Sequence, residues 1–305
     1  SKQPRMAMSI APSDPKTLFD LPVEVMEKYV AKYLYWEDLM EFRECSRSSR
    51  DLADQMLEKL DRLFVYNYHD PAAGYHFLFR KVKGLKLIAL GGLDWLTDNL
   101  LAKLLMNNPS VEVFFISNCH AISPKGILPL ATHCKKLRHM ILRNVQVGDN
   151  FLHTFSLHNK GLETLDLSEN KDISPRWLDR FIGKQPQLRN IMLDTLWFTS
   201  IRQTLNTIAR TGNNVEYLSF IGCPNIKDED VIHLANVLPK IRAINVEIEE
   251  VDEEEDVAHD FMLTEKSIEY LKSRGLGHAK TDEIQIIEDV LQEPKKAFLA
   301  TYSYS

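Results

Sequence analysis

The sequence predicts an α/β solenoid, with a parallel sheet on its concave side and helices on its convex side, preceded by a small three-helix module. Two observations carry the solenoid. A short apolar motif returns at nearly constant spacing through most of the 305 residues, and each copy leads into a turn signal and then apolar residues at helical spacing. A third observation carries the front module: from Leu18 to Gln55 the apolar spacing is that of short helices.

The motif is Leu-x-x-Leu-x-Leu, with other apolar residues accepted at each place. Seven copies are legible: Leu85/Ile88/Leu90, Val111/Phe114/Ile116, Leu137/Met140/Leu142, Leu162/Leu165/Leu167, Leu188/Ile191/Leu193, Val215/Leu218/Phe220 and Ile241/Ile244/Val246. Their first positions are separated by 26, 26, 25, 26, 27 and 26 residues, inside the range of leucine-rich repeats and unlike that of helical solenoids. An eighth, degenerate copy, Leu60/Leu63/Val65, stands 25 residues before Leu85, with a helix expected near His76 to Val82.

Eight residues after the first position, three copies carry Cys119, Asn170 and Cys223. The chain must bend there, and a small buried polar side chain can bond backbone groups that the strand no longer pairs. Three residues later come Ile122, Ile173 and Ile226, followed by apolar residues at helical spacing such as Val231, Leu234, Ala235 and Leu238. Each unit therefore reads as strand, turn, helix. No unit buries its apolar face alone, so neighbours must stack into one continuous core.

In front of the repeats, Pro22 suits a helix start, and Val25, Met26, Tyr29, Val30 and Tyr33 share a helical face. Glu37 and Asp38 suit the N-terminus of the next helix. A module this small has little core of its own and needs a partner or the first repeat as a lid.

The turn cysteines, the period and the "LATHC" ending resemble the cysteine-containing class of leucine-rich repeats, which commonly follow an F-box. The segment from Leu18 to Gln55 looks like an F-box: Leu21-Pro22, then Glu24, Val25 and Met26 opening a helix, Leu34, Asp38-Leu39, Phe42-Arg43, Cys45 and Arg47. The resemblance implies a substrate receptor of an SCF-type cullin-RING ubiquitin ligase, non-catalytic itself. It would dock on the F-box adaptor and its cullin through Leu21, Pro22, Val25, Met26 and Leu39, and hold protein substrates on the repeats. The pattern departs at Glu44, where Val usually precedes the Cys, and at Ser48, where Trp is common. A chain that kept the repeats but lost docking would be an interaction scaffold outside any ligase, the alternative reading.

The expected organisation is a flexible segment over residues 1–17, the F-box-like module over 18–55, and a degenerate first repeat or linker over 56–84. The repeats follow over 85–275, with an acidic insertion at 247–256, and a tail over 276–305. Thr264 is expected to cap a closing helix containing Ile268 and Leu271. The tail reads as disordered, as a terminal cap, or as a strand folding back over the concave face.

A net charge of -6 argues against a general grip on nucleic acid or anionic membrane. Four cysteines without a CxxC pair or zinc spacing, no long apolar run, no signal-peptide profile and no glycosylation sequon point to cytosol or nucleus. No nucleophile elbow, phosphate loop or HExxH helix is present, and no cofactor or metal is implied.

Residues flanking the second motif position point to the concave face, because strand side chains alternate. Phe115 cannot share the core with Phe114, so it is expected to face solvent. With Val113, Ile141, Met192 and Tyr217 it would form an apolar strip for a partner, with His139, Arg143 and Asp166 supplying polar specificity. The chain's own tail could cover that strip instead. The acidic run from Glu247 to Asp256 could attract a basic substrate, though such runs are commonly solvated loops.

Overall fold

The computed structural model describes residues 21–22, 24–26, 30, 36–66, 73–196, 201–247 and 263–277. Eight strands form one parallel sheet in sequence order: β1 Arg62–Tyr66, β2 Leu87–Gly91, β3 Val113–Ser117, β4 His139–Arg143, β5 Thr164–Asp166, β6 Asn190–Met192, β7 Tyr217–Ser219 and β8 Ala243–Asn245. The degenerate copy is a full member of the sheet, since Arg62 pairs with Leu87 and Leu63 with Ile88. The register places equivalent motif residues side by side throughout, for example Met140 with Leu165 and Leu165 with Ile191. A slip of one residue would turn every motif side chain away from the core, so the apolar pattern itself sets the register. A helix follows each strand and packs on the preceding helix, and a single buried cluster runs from Met26 to Leu276.

The turns out of β2 to β7 repeat as strictly as the strands. Gly92, Asn118, Asn144, Glu169, Thr195 and Gly222 all have positive φ, between 46° and 63°. Glycine and asparagine tolerate this conformation at little cost; Thr195, β-branched, is strained there. In three of the six the next residue carries the expected polar column, and in the others it is Leu93, Val145 or Leu196. Asn170 Nδ2 donates to the carbonyls of Leu142 (2.6 Å), Leu167 (2.8 Å) and Ser168 (3.2 Å), and its Oδ1 accepts from Val145 N. Cys223 Sγ donates to Leu193 O at 2.8 Å and Cys119 Sγ to Ser117 O at 3.4 Å. Burial pushes the thiols of Cys119 and Cys223 up to about 11, so they remain protonated donors.

A second column, not anticipated, closes the return from helix to strand. Asn108 Nδ2 donates to Val82 O (3.2 Å) while its Oδ1 accepts from Leu85 N (2.9 Å); Asn159 Nδ2 donates to Ala131 O and Gln185 Nε2 to Asn159 O, both at 2.9 Å. Each bond reaches back one repeat and satisfies backbone that would otherwise be buried unpaired.

The helices are linked by a third device. Asp98 accepts from Ser123 N and Asp149 from Ser174 N, both at 2.8 Å across a sequence separation of 25. Asp228 accepts from Thr264 N at 2.9 Å across a separation of 36. The helix Glu265–Ser273, capped by Thr264 as expected, thus takes the next place in the stack despite a longer connection. The acidic residues 248–256 lie outside the described residues, as do residues 1–17 and the tail from residue 278.

In front of the sheet, helices Trp36–Cys45 and Arg47–Glu58 pack together, and Ser46 caps the second by accepting from Ser49 N at 3.0 Å. They are tied to the helix Ala73–Lys81 of the first repeat. The Arg43 guanidinium lies 4.2 Å from the Phe77 ring centroid and donates to Asp54 at 2.8 Å, while Lys81 reaches Asp54 and Glu58. Of the first expected helix, Glu24–Met26 are helical, with Val25 N and Met26 N bonded to Pro22 O; Tyr29, Tyr33 and Leu34 lie outside the described residues.

Candidate protein-interaction surfaces

Two candidate surfaces exist, one on the front module and one on the concave side of the sheet. On the module, Pro22 is exposed and Leu21 and Val25 are half-buried, so a partner can reach them. Met26 and Leu39 are buried in the core cluster. Their expected role as adaptor contacts is corrected accordingly: on an amphipathic helix the more apolar stripe turns inward, and here it joins the core cluster that continues into the repeats. Glu44, Cys45 and Ser48 are all exposed, so the charge at Glu44 costs no desolvation in this chain.

On the sheet, the alternation places the expected residues on the concave side, but most are not open to solvent. Phe115 is 2 % exposed, Ile141 2 %, Met192 2 % and Tyr217 6 %. The expectation of a solvent-facing apolar strip is therefore overturned. In-register strands lie about 4.8 Å apart, so equivalent side chains touch along columns, while the tail expected as an alternative cover for the strip lies outside the described residues. Phe64, Ala89, Phe115 and Ile141 form such a column with Tyr66 and Leu87, the Tyr66 and Phe115 rings 6.0 Å apart. Tyr66 lies across Gly91, where a Cβ would stand 2.1 Å from the ring. Met192, Tyr217 and Ala243 form a separate apolar group.

The polar residues divide. Asp166 is fully buried, ion-paired with Arg143 and accepting from Ser168 N at 2.9 Å, so it is spent inside the fold instead of being offered to a partner. Arg143, Val113 and His139 are half-buried and reachable, with His139 Nδ1 2.9 Å from Thr164 Oγ1. Asp194, missed in the sequence, stands beside this centre. It accepts from Ser219 Oγ (2.6 Å) and Ile221 N (2.8 Å). Burial, with the nearby Asp166 charge adding to it, raises its pKa against the opposing hydrogen bonds. A carboxyl raised in the folded state binds its proton more tightly there, so stability falls as pH rises through the window above the unfolded value. Asp194→Asn is expected to raise the melting temperature at neutral pH, with a gain that shrinks on acidification. Melting curves of both proteins from acid to neutral pH would show it, and a constant offset would refute the cause.

The N-terminal rim of the sheet carries the largest feature missed by sequence reading. At the residue after the first motif position, the eight repeats place Asp61, Lys86, Glu112, Arg138, Glu163, Arg189, Glu216 and Arg242, alternating in sign without exception. Adjacent strands bring opposite charges together. Arg138 grips Glu163 through two bonds of 2.6 and 2.9 Å, Arg189 reaches Glu216 at 2.8 Å, and Arg242 shares that carboxylate at 3.2 Å. The Arg138 hydrogen bonds hold the Glu163 carboxyl below its ordinary value. The signal was present in the sequence, at a position not on the concave columns. Among the described residues no cluster of His, Cys, Asp or Glu is arranged to hold a metal ion, and no helix is long and apolar enough to cross a membrane.

No family model matches the chain. Curated relatives include F-box/LRR-repeat protein 15 of Mus musculus, 28% identical over 138 residues, covering 43% of this chain and 46% of that protein. GRR1-like protein 1 of Arabidopsis thaliana is 28% identical over 102 residues, covering 32% of this chain and 17% of the relative. BTB/POZ domain-containing protein FBL11 of Arabidopsis thaliana is 34% identical over 82 residues, covering 27% and 8%. Each match spans less than half of the relative's length. Among solved structures, Rad7 in its yeast complex with Elc1 gives a TM-score of 0.44 at 16% identity, covering 71% of this chain and 70% of that one. Internalin C2 of Listeria monocytogenes gives 0.45 at 13% identity, covering 70% and 92%.

Proposed function

We propose that this chain, a leucine-rich-repeat protein similar to F-box/LRR proteins over part of its length, is the substrate-receptor subunit of an SCF-type ubiquitin ligase. It binds and presents, and catalyses nothing itself. The observation carrying the proposal is the front module. It is anchored to the first repeat through Arg43, Phe77, Asp54 and Lys81, yet leaves Pro22 and Val25 at the surface where an F-box meets its adaptor. Docking would run through Leu21, Pro22 and Val25 to the F-box adaptor and thence the cullin, and protein substrates would lie on the concave side. Its place of work would be cytosol or nucleus.

The test is capture of purified adaptor and cullin by the full chain, beside a Pro22→Ala/Val25→Ala variant checked by circular dichroism. These positions are chosen over Leu21, which packs partly on the core and whose loss would confuse folding with docking. The expected result is capture by the wild type and its loss in the folded variant. A folded wild type that captures nothing would leave the chain as an interaction scaffold.

A further inference from the structure

The charge ladder closes along only half of its length. From Arg138 onward three rungs are ion pairs of 2.6 to 3.2 Å, Arg138 with Glu163 and Glu216 with both Arg189 and Arg242. Between Lys86 and Glu112 the same alternation and strand spacing produce no ion pair among the described residues, and Lys86 is exposed while Glu112 is half-buried. At this point a cavity of about 320 Å³ opens at the corner of the rim and the concave face. Its lining includes Lys86, Leu87, Glu112, Val113, Arg138 and His139. Arg138 is engaged by Glu163, and Asp61 and Arg62, also at the cavity, lie 3.7 Å apart. Lys86 and Glu112 therefore face a ligand with the half-buried Val113 between the strands, and Asp61 and His139 stand at the cavity's edges.

We propose that this cavity holds an extended peptide segment bearing one acidic and one basic side chain two residues apart, the acidic one set against Lys86 and the basic one against Glu112. In an extended peptide, side chains at i and i+2 share a face about 6.6 Å apart. Lys86 and Glu112 stand on neighbouring strands about 4.8 Å apart, so two flexible charged side chains can span the difference. The peptide backbone between them lies beside the half-buried Val113 at the cavity. The segment thereby supplies the opposite charges that Lys86 and Glu112 do not find in each other. This inference rests on the reading that the repeats hold protein substrates, and it supplies their chemistry: mixed charge in a fixed order.

The experiment titrates fluorescent blocked pentapeptides into the full chain at low ionic strength, comparing Gly-Glu-Val-Lys-Gly, its reversed order Gly-Lys-Val-Glu-Gly, an all-acidic and an all-basic version, and a Gln/norleucine version. One mixed order is expected to bind best, with a loss on the order of fivefold for the neutral peptide, as exposed ion pairs deliver. Lys86→Glu/Glu112→Lys, which exchanges the two charges, should exchange the preferred order. Preference indifferent to order and to the exchange, or strongest binding by a single-sign peptide, would overturn the proposal. So would failure of all five peptides to bind folded protein. Adaptor capture by the same exchanged variant separates this failure from failure of the ligase reading, since the front module is untouched.

Discussion

Leu165→Asp is expected to abolish the cooperative fold. Leu165 has no exposed surface and lies in β5 between Met140 and Ile191, at the middle of the one cluster that runs through every repeat. Removing a fully buried leucine costs about 2–5 kcal/mol, and a carboxylate in its place adds a desolvation penalty of several kcal/mol with no cation to offset it. The sum is comparable to the entire stability of an ordinary domain, about 5–15 kcal/mol. Because each repeat is stabilised mainly by its neighbours, damage in the central repeat uncouples both halves. Urea titration followed by circular dichroism should show no folded baseline for this variant, whereas Leu165→Met should lose less than about 1.5 kcal/mol. A variant with a transition close to wild type would mean that the strand is not in this register.

Phe115→Ala is expected to cost about 3–5 kcal/mol, the usual range for a buried phenylalanine. This reverses what the strand alternation alone suggests, that the side chain faces solvent and its loss affects only binding. Phe115 is nearly inaccessible, tilts against Tyr66 and completes a column with Ala89 and Ile141. The cavity left behind cannot collapse easily, since Gly91 already lets Tyr66 lie flat on the sheet. Thermal unfolding of the full chain decides the matter: a change within about 0.5 kcal/mol, typical of surface substitutions, would return Phe115 to the open surface.

The contrast between these two residues shows where sequence reading succeeds. Leu165 belongs to a motif repeated at 25 to 27 residues, and a residue that must occupy one place in every repeat can be assigned to the core without coordinates. The turn column of Cys119, Asn170 and Cys223 was legible for the same reason, and its bonds to strand-end carbonyls are those expected of small polar side chains at a bend. Phe115 and Asp166 were misjudged because facing away from the helices was equated with facing solvent. Met26 and Leu39 were misjudged because helical spacing shows which residues share a face and not what covers it; both are buried in the cluster that continues into the repeats.

The charge ladder is a different case. Every member was visible, one place after the first motif residue, but its meaning depends on which residues stand side by side. Sequence separation of 25 to 27 hides that adjacency; parallel in-register pairing creates it.

The linear sequence by itself determined the period, the strand-turn-helix order and the parallel architecture, because these follow from hydrophobic spacing that each unit must satisfy on its own backbone. Only the tertiary structure decided which concave side chains are reachable, which carboxylates are already spent on arginines, and where the ladder stays open. Those properties belong to distances between repeats, and burial and ion pairing are set by neighbours in space that the order of residues does not name.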